Sequence, residues 1–207
     1  RDGGEGKCLA FYQYKDIEKL EKFMKGKPVA EQEIGKQLLL ETVAYAESGM
    51  CRRKQLLHYF GENYEQESCM NCDNCLHPKE RFEAKEDIAL ALNTIIKIKG
   101  KFKNKYIVNV LIGKTTTEIK SYKHNNIDVF GSGAGQDEQY WNAVVRQALI
   151  LGLLHKDIEN YGLLSLTKSG HDFVEKPYSV KLARDHDYDS AMEGDERGGR
   201  LQDRAAA

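Results

Sequence analysis

Four of the five cysteines have the spacing of a metal-binding site. Cys51 is separated by seventeen residues from Cys69, and Cys72 and Cys75 follow at intervals of two intervening residues. Three thiolates at this spacing let a short loop surround a cation, and a fourth thiolate from a distant segment completes a tetrahedron. The pattern predicts a structural zinc site with the ligands Cys51, Cys69, Cys72 and Cys75, and without an open position for catalysis.

Two other uses of these cysteines stay open. The three closely spaced cysteines match the first part of a bacterial iron–sulfur run, but the fourth cysteine of that run is absent. An iron–sulfur cluster would have to recruit Cys51, and His77 is a spare candidate ligand. Disulfide bonds are the second alternative, and the lack of a signal peptide at residues 1–6 favours a reducing compartment, where such spacing more often means metal.

The composition is that of a globular protein large enough for one sizeable domain or two small ones. The chain has 207 residues, of which 41% are hydrophobic and 30% charged, with a net charge of -1. No apolar run approaches the roughly 20 residues that a bilayer needs, so we expect no transmembrane helix and no membrane partner. The missing initiator Met suggests a piece of a longer protein, and we expect a cytoplasmic one.

The near-neutral net charge conceals a strongly basic stretch. One acid, Glu118, accompanies eight lysines at positions 97, 99, 101, 103, 105, 114, 120 and 123. A local charge of this sign favours a nucleic-acid partner, although a solvated lysine face is the alternative.

The first 82 residues read as a helical region held by the metal. Residues 7–14 are apolar and aromatic, which predicts a short strand with Cys8 as a buried thiol. Helices are predicted from Asp16, over residues 31–48 and from near Cys51, with inward-facing apolar residues at helical spacing.

The pattern restarts after residue 82 and is typical of a winged helix. Asp87 is the expected N-cap of the first helix, and a second helix covers residues 106–112. A glycine-rich turn, expected to be mobile, precedes a helix opened by Asp137, whose Trp141 lies on the apolar core stripe. Residues 153–167 read as a β-hairpin, and three helices followed by a hairpin make a helix-turn-helix variant. Residues 184–207 read as a disordered tail.

Several of these segments resemble one family. Residues 51–62 together with residues 69–75 closely resemble the zinc-binding subdomain of RecQ-family DNA helicases, and the helix with Trp141 and the hairpin resemble the winged helix of that family. The opening Arg1-Asp2-Gly3 is similar to the end of the last helicase motif. The resemblance implies a mainly α fold with a small β-hairpin, in which a zinc-binding subdomain precedes a winged-helix domain. The implied boundaries are 1–14 for the end of the second RecA-like domain, 15–82 for the zinc-binding subdomain, 83–183 for the winged helix and 184–207 for the tail.

The resemblance also implies an activity that this stretch would not perform alone. Such helicases hydrolyse ATP with Mg²⁺ to move 3′ to 5′ along DNA in repair, recombination and replication, and they would be nucleoid-associated in a bacterial cytoplasm. The chain has neither a G-x-x-x-x-G-K-[ST] phosphate loop nor a D-E-x-H motif. ATP and Mg²⁺ therefore belong to RecA-like motor domains elsewhere in the full-length chain, and Arg1 would be a remnant of the ATP-site arginine motif.

Duplex, forked or 3′-overhang DNA is the expected partner, bound without sequence specificity. We expect phosphate contacts from the lysines and from the amides of the glycine-rich turn, because helix N-termini after glycines suit phosphate. Arg146 contacts DNA or forms a structural salt bridge, and Tyr161 at the hairpin tip could stack on the terminal base pair as a strand-separating wedge. The candidate DNA-binding residues are Lys101, Lys103, Lys105, Ser132, Gly133, Arg146, Lys156, Asn160 and Tyr161. The alternative is a winged-helix transcriptional regulator, whose recognition helix would read bases.

Overall fold

The computed structural model describes residues 6–99, 102–157 and 160–188, which belong to two compact units. The first unit comprises residues up to Glu47 together with those from Asp187 onward, and the second unit is Ser48–His186. Among the described residues, no helix is both long enough and apolar enough to cross a membrane.

Residues 6–47 of the first unit contain two helices, as expected from the periodicity. Helix α1 is Tyr14–Phe23 and helix α2 is Val29–Glu47. Gly26 has a φ of 94° in the turn between them, a conformation that glycine adopts without a steric cost. Ile17 of α1 is buried, whereas α2 has no buried residue.

The segment before α1 differs from the prediction. Residues 6–13 have no regular structure, Cys8 is exposed, and the side chain of Phe11 is 93% exposed. The predicted strand over residues 7–14 and the buried position of Cys8 are therefore wrong for this unit. A strand needs a neighbour that shares its backbone hydrogen bonds, and the described residues of the first unit offer none.

The second unit carries the remaining helices and strands. Its cysteine-bearing region contains helix α3, Arg52–Tyr59, and the single-turn helix α4, Asp73–Leu76. The following elements are strand β1 Arg81–Glu83, helix α5 Lys85–Lys97, strand β2 Phe102–Lys103, helix α6 Asn104–Leu111, helix α7 Thr117–Ser121, a 3₁₀ turn at His124–Asn126, helix α8 Glu138–Ile150, strand β3 Leu154–Asp157, strand β4 Leu163–Leu166, helix α9 Lys168–Glu175 and strand β5 Lys181–Ala183.

The winged-helix topology is confirmed by the order of helices and strands. Strands β3 and β4 form the predicted antiparallel hairpin, and β2 adds to its β4 edge, which gives the strand order β2-β4-β3. A second pair, β1 with β5, was not predicted and joins the two ends of the winged helix. The fold is therefore mainly helical with small antiparallel sheets, and the cysteine-bearing region precedes the winged helix.

The core of the winged helix lies between α5, α6, α8 and the sheet. Trp141 is 1% exposed and occupies this core, as the apolar stripe of α8 predicts. Asp137 caps α8 as expected, since its carboxylate accepts a hydrogen bond of 2.7 Å from the backbone N–H of Tyr140. Asp87 is not an N-cap: the N-cap of α5 is Ala84, three residues earlier, and Asp87 instead accepts a hydrogen bond from the hydroxyl of Tyr140.

A buried glutamine joins α8 to the last strand. The side-chain amide of Gln147 donates to the carbonyl of Ala183 at 2.9 Å and accepts from its N–H at 3.0 Å. Gln147 is 1% exposed, so no water replaces either bond. The side chain thus pairs with the edge of β5 as a neighbouring strand would.

Gln147→Met should lower the free energy of unfolding by about 2–5 kcal/mol. The thioether has a similar volume but leaves a buried N–H and a buried C=O of Ala183 without partners, at about 1–3 kcal/mol each. Gln139→Met is the matched control, because Gln139 is exposed on the same helix and should cost less than about 0.5 kcal/mol. Urea unfolding of both variants tests this, and equal stabilities would contradict the role of Gln147.

Candidate metal centre and nucleic-acid interface

The structure brings the four predicted ligand cysteines together. The Sγ atoms of Cys51, Cys69, Cys72 and Cys75 all lie within 4.8 Å of one another, and those of Cys69 and Cys75 are 3.9 Å apart. Four thiolates around one zinc ion, with Zn–S bonds of about 2.3 Å, are about 3.8 Å apart in a tetrahedron. The cluster therefore has the size and the donor set of a four-cysteine zinc site.

Backbone N–H groups support the sulfur atoms. The N–H of Cys72 donates to Sγ of Cys69, and the N–H of Arg52, the first residue of α3, donates to Sγ of Cys72, both at 3.4 Å. Met70, between two ligands, has a φ of 54° in the left-handed region, which turns the loop back on itself. Bonds from N–H groups orient the thiolates and stabilise their charge, as outer-shell partners do in metal sites.

The thiols of the cluster divide into two acid–base classes. Burial raises the pKa of Cys72 to about 12 and also raises the pKa of Cys51. Burial acts in the same direction on Cys69, but hydrogen bonds from backbone N–H groups outweigh it and lower its pKa to about 6. Because a metal ion binds thiolates, the cation must displace the protons of the less acidic thiols, and zinc binding is coupled to proton release.

The geometry argues against His77 as a ligand and against an iron–sulfur cluster. His77 is exposed and lies outside the cluster, so four cysteines complete the set without it. An iron–sulfur cluster holds its cysteines on separate irons and spreads them further than one shared ion does. The close approach of all four sulfurs therefore favours a single zinc ion.

Two side chains of helix α4 fix the cysteine loop to the rest of the second unit. Asn74, 4% exposed, donates to the carbonyls of Ser48 and Met50 at 2.7 and 2.6 Å. The Asp73 carboxylate accepts hydrogen bonds from the guanidinium of Arg52 at 2.9 to 3.3 Å, and this side-chain pairing lowers its pKa. Sequence reasoning missed both residues, since Asp and Asn between cysteines also suit an exposed turn.

Four consecutive residues, 183–186, connect the cysteine loop to the winged helix, and we call them the connecting segment. Its partners lie on α8, on α4 and just before β1: Gln147 for Ala183, Glu80 for Arg184, Arg146 for Asp185 and Asn74 for His186. The prediction of disorder from residue 184 is therefore wrong for residues 184–186, which these contacts order. Residues 189–207 lie outside the described residues.

The hairpin tip presents Tyr161 next to a lysine. Tyr161 is 49% exposed and has a φ of 57°, and the Nζ atom of Lys103 lies over its ring at 5.8 Å from the centroid. The Asp157 carboxylate accepts from both the backbone and the side chain of Asn160, and the Asp157 carbonyl accepts from the N–H of Gly162. These bonds hold the turn in a shape that a non-glycine residue adopts only at a steric cost.

The other predicted lysines are spread over different places. Lys105 is exposed on the first turn of α6. Lys156 pairs with Leu164, and Leu164 also pairs with Phe102, so these three side chains are on one face of the sheet. Lys103 follows Phe102 in β2 and is therefore on the other face. Lys101 and Arg1 lie outside the described residues.

The glycine-rich turn before α8 is not an amide cradle for phosphate. The N–H groups of Gly131, Ser132 and Gly133 donate to the carbonyls of Val110, Val129 and Leu111. The hydroxyl of Ser132 donates to the carbonyl of Asp128. These amides are used inside the fold, which corrects the expectation that they are open to a ligand or that the turn is mobile.

Gly133 is required by the core instead. Its carbonyl accepts from Nε1 of Trp141 at 2.8 Å, and a Cβ atom at this position would lie 2.6 Å from the indole ring. Only glycine allows the turn to approach the ring this closely.

Arg146 has a structural partner. Its guanidinium forms an ion pair with Asp185, and the two side chains are 15% and 9% exposed. The structure thus realises the salt bridge that was the alternative to a DNA contact, and we leave Arg146 out of the interface. Its partner is separated by 39 residues, so no local pattern could have identified it.

Together, the four-thiol cluster and the winged helix define the class of this chain, in which a four-cysteine metal site precedes a winged-helix domain. The RecQ zinc-binding family matches residues 14–76, and the RQC domain family matches residues 78–191. The chain therefore belongs to the RecQ family and carries its zinc-binding and RQC domains.

Relatives agree with this assignment. The chain is 32% identical to the ATP-dependent DNA helicase RecQ of Pasteurella multocida and 32% identical to that of Haemophilus influenzae, over 89% and 88% of its length. It is 27% identical to the RecQ-like DNA helicase blm-1 of Caenorhabditis elegans over 88% of its length. The chain spans 30% of the length of each bacterial relative and 21% of the nematode protein.

Cys72→Ser should abolish stoichiometric zinc binding and loosen the cysteine loop. The serine hydroxyl does not replace a thiolate ligand, and the binding energy of a structural zinc ion is also folding energy. Cys8→Ser is the matched control, because Cys8 is exposed and outside the cluster. Elemental analysis and thermal unfolding should separate the two variants, and full zinc content in Cys72→Ser would refute the assignment.

Gly133→Ala should destabilise the protein by about 1–3 kcal/mol, because the added methyl group overlaps the buried ring of Trp141. Gly135→Ala serves as the control, since a Cβ atom there meets no atom within 4 Å. Urea unfolding monitored by the fluorescence of Trp141 measures both, and a stable Gly133→Ala would show that the turn yields more easily than argued.

Proposed function

We propose that this chain is the DNA-binding module of a RecQ-type 3′–5′ ATP-dependent DNA helicase that acts in DNA repair, recombination and replication. Residues 1–14 would be the end of the second RecA-like domain, residues 15–82 the zinc-binding subdomain, residues 83–183 the winged helix and residues 184–207 a tail. ATP and Mg²⁺ act in the motor domains of the full-length enzyme, which works in a bacterial cytoplasm, associated with the nucleoid.

The module binds duplex or forked DNA, or a 3′ overhang, without reading its sequence. Lysine contacts to phosphate supply affinity that depends on salt and not on sequence. Lys103 and Lys105 stand at the start of α6, in a stretch of chain between Lys97 and Asp137 whose acids are Glu118 and Asp128. Lys101 and Lys156 are further candidates for phosphate contacts.

The internal partners of α8 support this proposal over a transcriptional regulator. A helix that reads bases needs several side chains with free donors and acceptors on its outer face. Three polar side chains of α8 are instead bonded within the fold: Asn142 to Asn104, Arg146 to Asp185 and Gln147 to Ala183.

The geometry of the hairpin tip is the observation that supports a strand-separating role for Tyr161. Tyr161 is half-exposed on a turn whose bonds to Asp157 fix its backbone, and Lys103 lies beside its ring. Stacking of one base on an aromatic ring contributes about 1–3 kcal/mol. One DNA stacking step contributes about 1.4 kcal/mol, so a single ring offsets the loss of one step at a fork. Asn160 adds an amide next to the ring.

Tyr161→Ala should reduce strand separation by the full-length enzyme while leaving its affinity for duplex DNA nearly unchanged. The stacking ring is lost, whereas the phosphate contacts that dominate affinity remain. Tyr161→Phe keeps the ring and should unwind like the wild type. An unwinding assay on forked DNA and anisotropy titrations at two salt concentrations measure the two effects. Unchanged unwinding by Tyr161→Ala would exclude the wedge, and binding confined to one DNA sequence would favour a regulator.

A further inference from the structure

A group of aromatic side chains beside strand β2 is not used by the function proposed above. Phe102 stacks on Tyr106, with ring centroids 4.1 Å apart and planes within 14°. Tyr122, just after α7, meets the ring of Phe102 edge-on at 5.3 Å. His124, in the following 3₁₀ turn, contacts all three rings at 5.6 to 5.9 Å.

Tyr122 is held in one orientation and yet remains open to solvent. Its ring stacks on the imidazole of His124, with planes within 18°, while the edge contact with Phe102 fixes the ring from a second direction. Even so, 57% of Tyr122 is exposed. A fixed, exposed ring binds a flat partner with little further loss of side-chain entropy.

The imidazole of His124, on which Tyr122 stacks, is itself held in place. Nδ1 of His124 lies 2.6 Å from the hydroxyl of Tyr106, which is 5% exposed. Burial raises the pKa of Tyr106 to about 12 and lowers the pKa of His124. Both groups are therefore neutral near pH 7, and they share one hydrogen bond whose direction is set by the tautomer of His124. The support of Tyr122 is thus rigid and uncharged.

Two lysines stand next to this ring in the chain, and one acid, Glu118, lies four residues before it. Lys120 and Lys123 flank Tyr122, and both are exposed. Lys123 has a φ of 57°, in the left-handed region that a lysine enters only at a steric cost. An exposed aromatic ring between lysines is the combination that proteins use to bind single-stranded nucleic acid, with the base on the ring and the phosphates on the cations.

We propose that Tyr122 is a second stacking platform, which binds one base of single-stranded DNA while Lys120 and Lys123 contact the adjoining phosphates. This site deepens the proposed function and rests on it, because the unpaired strand is a product of the fork. It is distinct from the hairpin tip in position and in the state of DNA that it binds.

The position of the two rings fits one strand of DNA passing beside β2. Successive residues of a strand point to opposite faces. Phe102 contacts Tyr122 on one face, and Lys103 lies over Tyr161 on the other. Strand β2 is an edge of the sheet, and we place the route of the released strand around this edge, from Tyr161 to Tyr122.

The test compares Tyr122→Ala with the wild type in anisotropy titrations of three labelled probes. We expect Tyr122→Ala to bind oligo(dT) of about 16 nucleotides about 5- to 20-fold more weakly, because one base–aromatic stack is lost. Its binding to an abasic oligomer of equal length and to duplex DNA should not change. Tyr122→Phe should bind oligo(dT) like the wild type.

Tyr178→Ala is the matched control. Tyr178 is 56% exposed, packs edge-on against Phe173 and lies outside residues 97–123 of the chain, although Lys176 and Lys181 stand near it in sequence. It should bind all three probes like the wild type, and thermal unfolding should show that both alanine variants are folded.

Two results would overturn the platform. Tyr122→Ala could bind oligo(dT) as tightly as the wild type, or it could lose affinity equally for the abasic oligomer, which would indicate a phosphate contact or a local change of fold. In either case, retained binding of duplex and forked DNA by the wild type leaves the proposed function intact. A wild-type chain that binds none of these DNAs would overturn both proposals.

Discussion

The close approach of four thiols is the constraint on which the cysteine-bearing region depends. Helices α3 and α4 have eight and four residues, and helices of this length are not stable alone in water. The loop between them is polar and mostly exposed, so apolar burial contributes little. A zinc ion held by Cys51 and the three closely spaced cysteines would supply the missing free energy and close the loop. The hydrogen bonds of Asn74 and Asp73 would then fix a loop that has fewer conformations open to it.

The connecting segment extends this order to the winged helix. Each of its four residues has a partner outside the segment: Arg146 and Gln147 on α8, Glu80 just before β1, and Asn74 on α4 next to the ligands. Helix α8 is followed directly by the hairpin, and its last turn is also bonded to α3, since Nε2 of His58 lies 3.1 Å from the carbonyl of Leu149. If the hairpin separates strands as proposed, it needs a support that does not yield. The cysteine loop and α8 would provide this support from the two ends of the connecting segment.

Local patterns in the sequence predicted what local physics determines. The spacing of the cysteines, the apolar stripe with Trp141 and the Asp137 cap each depend on residues close in the chain, and the structure contains all three. Other contacts join parts of the chain that are far apart. Gln147 bonds to Ala183, 36 positions away, and His186 bonds to Asn74, 112 positions away. Strands β1 and β5, which pair, lie at opposite ends of the domain. No periodicity carries that information.

Residue types gave wrong predictions where the question was whether a polar group is free to bind a ligand. Glycines before a helix predicted free amides, but whether an amide is free depends on carbonyls elsewhere, here those of Val110 and Leu111. Arg146 was a candidate DNA contact for its charge, and an aspartate 39 residues away pairs with it. In the same way, an apolar run at residues 7–14 predicted a strand whose partner is absent from the described residues of the first unit. The cysteines could be predicted correctly because each one has the other three as its neighbours in the cluster.

The energies at the proposed DNA interface suit a module that works with a motor. Stacking of about 1–3 kcal/mol on Tyr161 is close to the roughly 1.4 kcal/mol of the base step it replaces. In the proposed enzyme the exchange would therefore be near balance, and the hairpin would neither trap the fork nor open it unaided. Net progress would come from ATP hydrolysis in the motor domains, while the contacts from the cysteine loop to α8 would keep the ring in place. A ring that bound the base more strongly would slow the release of that base. A weaker support would let the hairpin bend before the DNA strands separate.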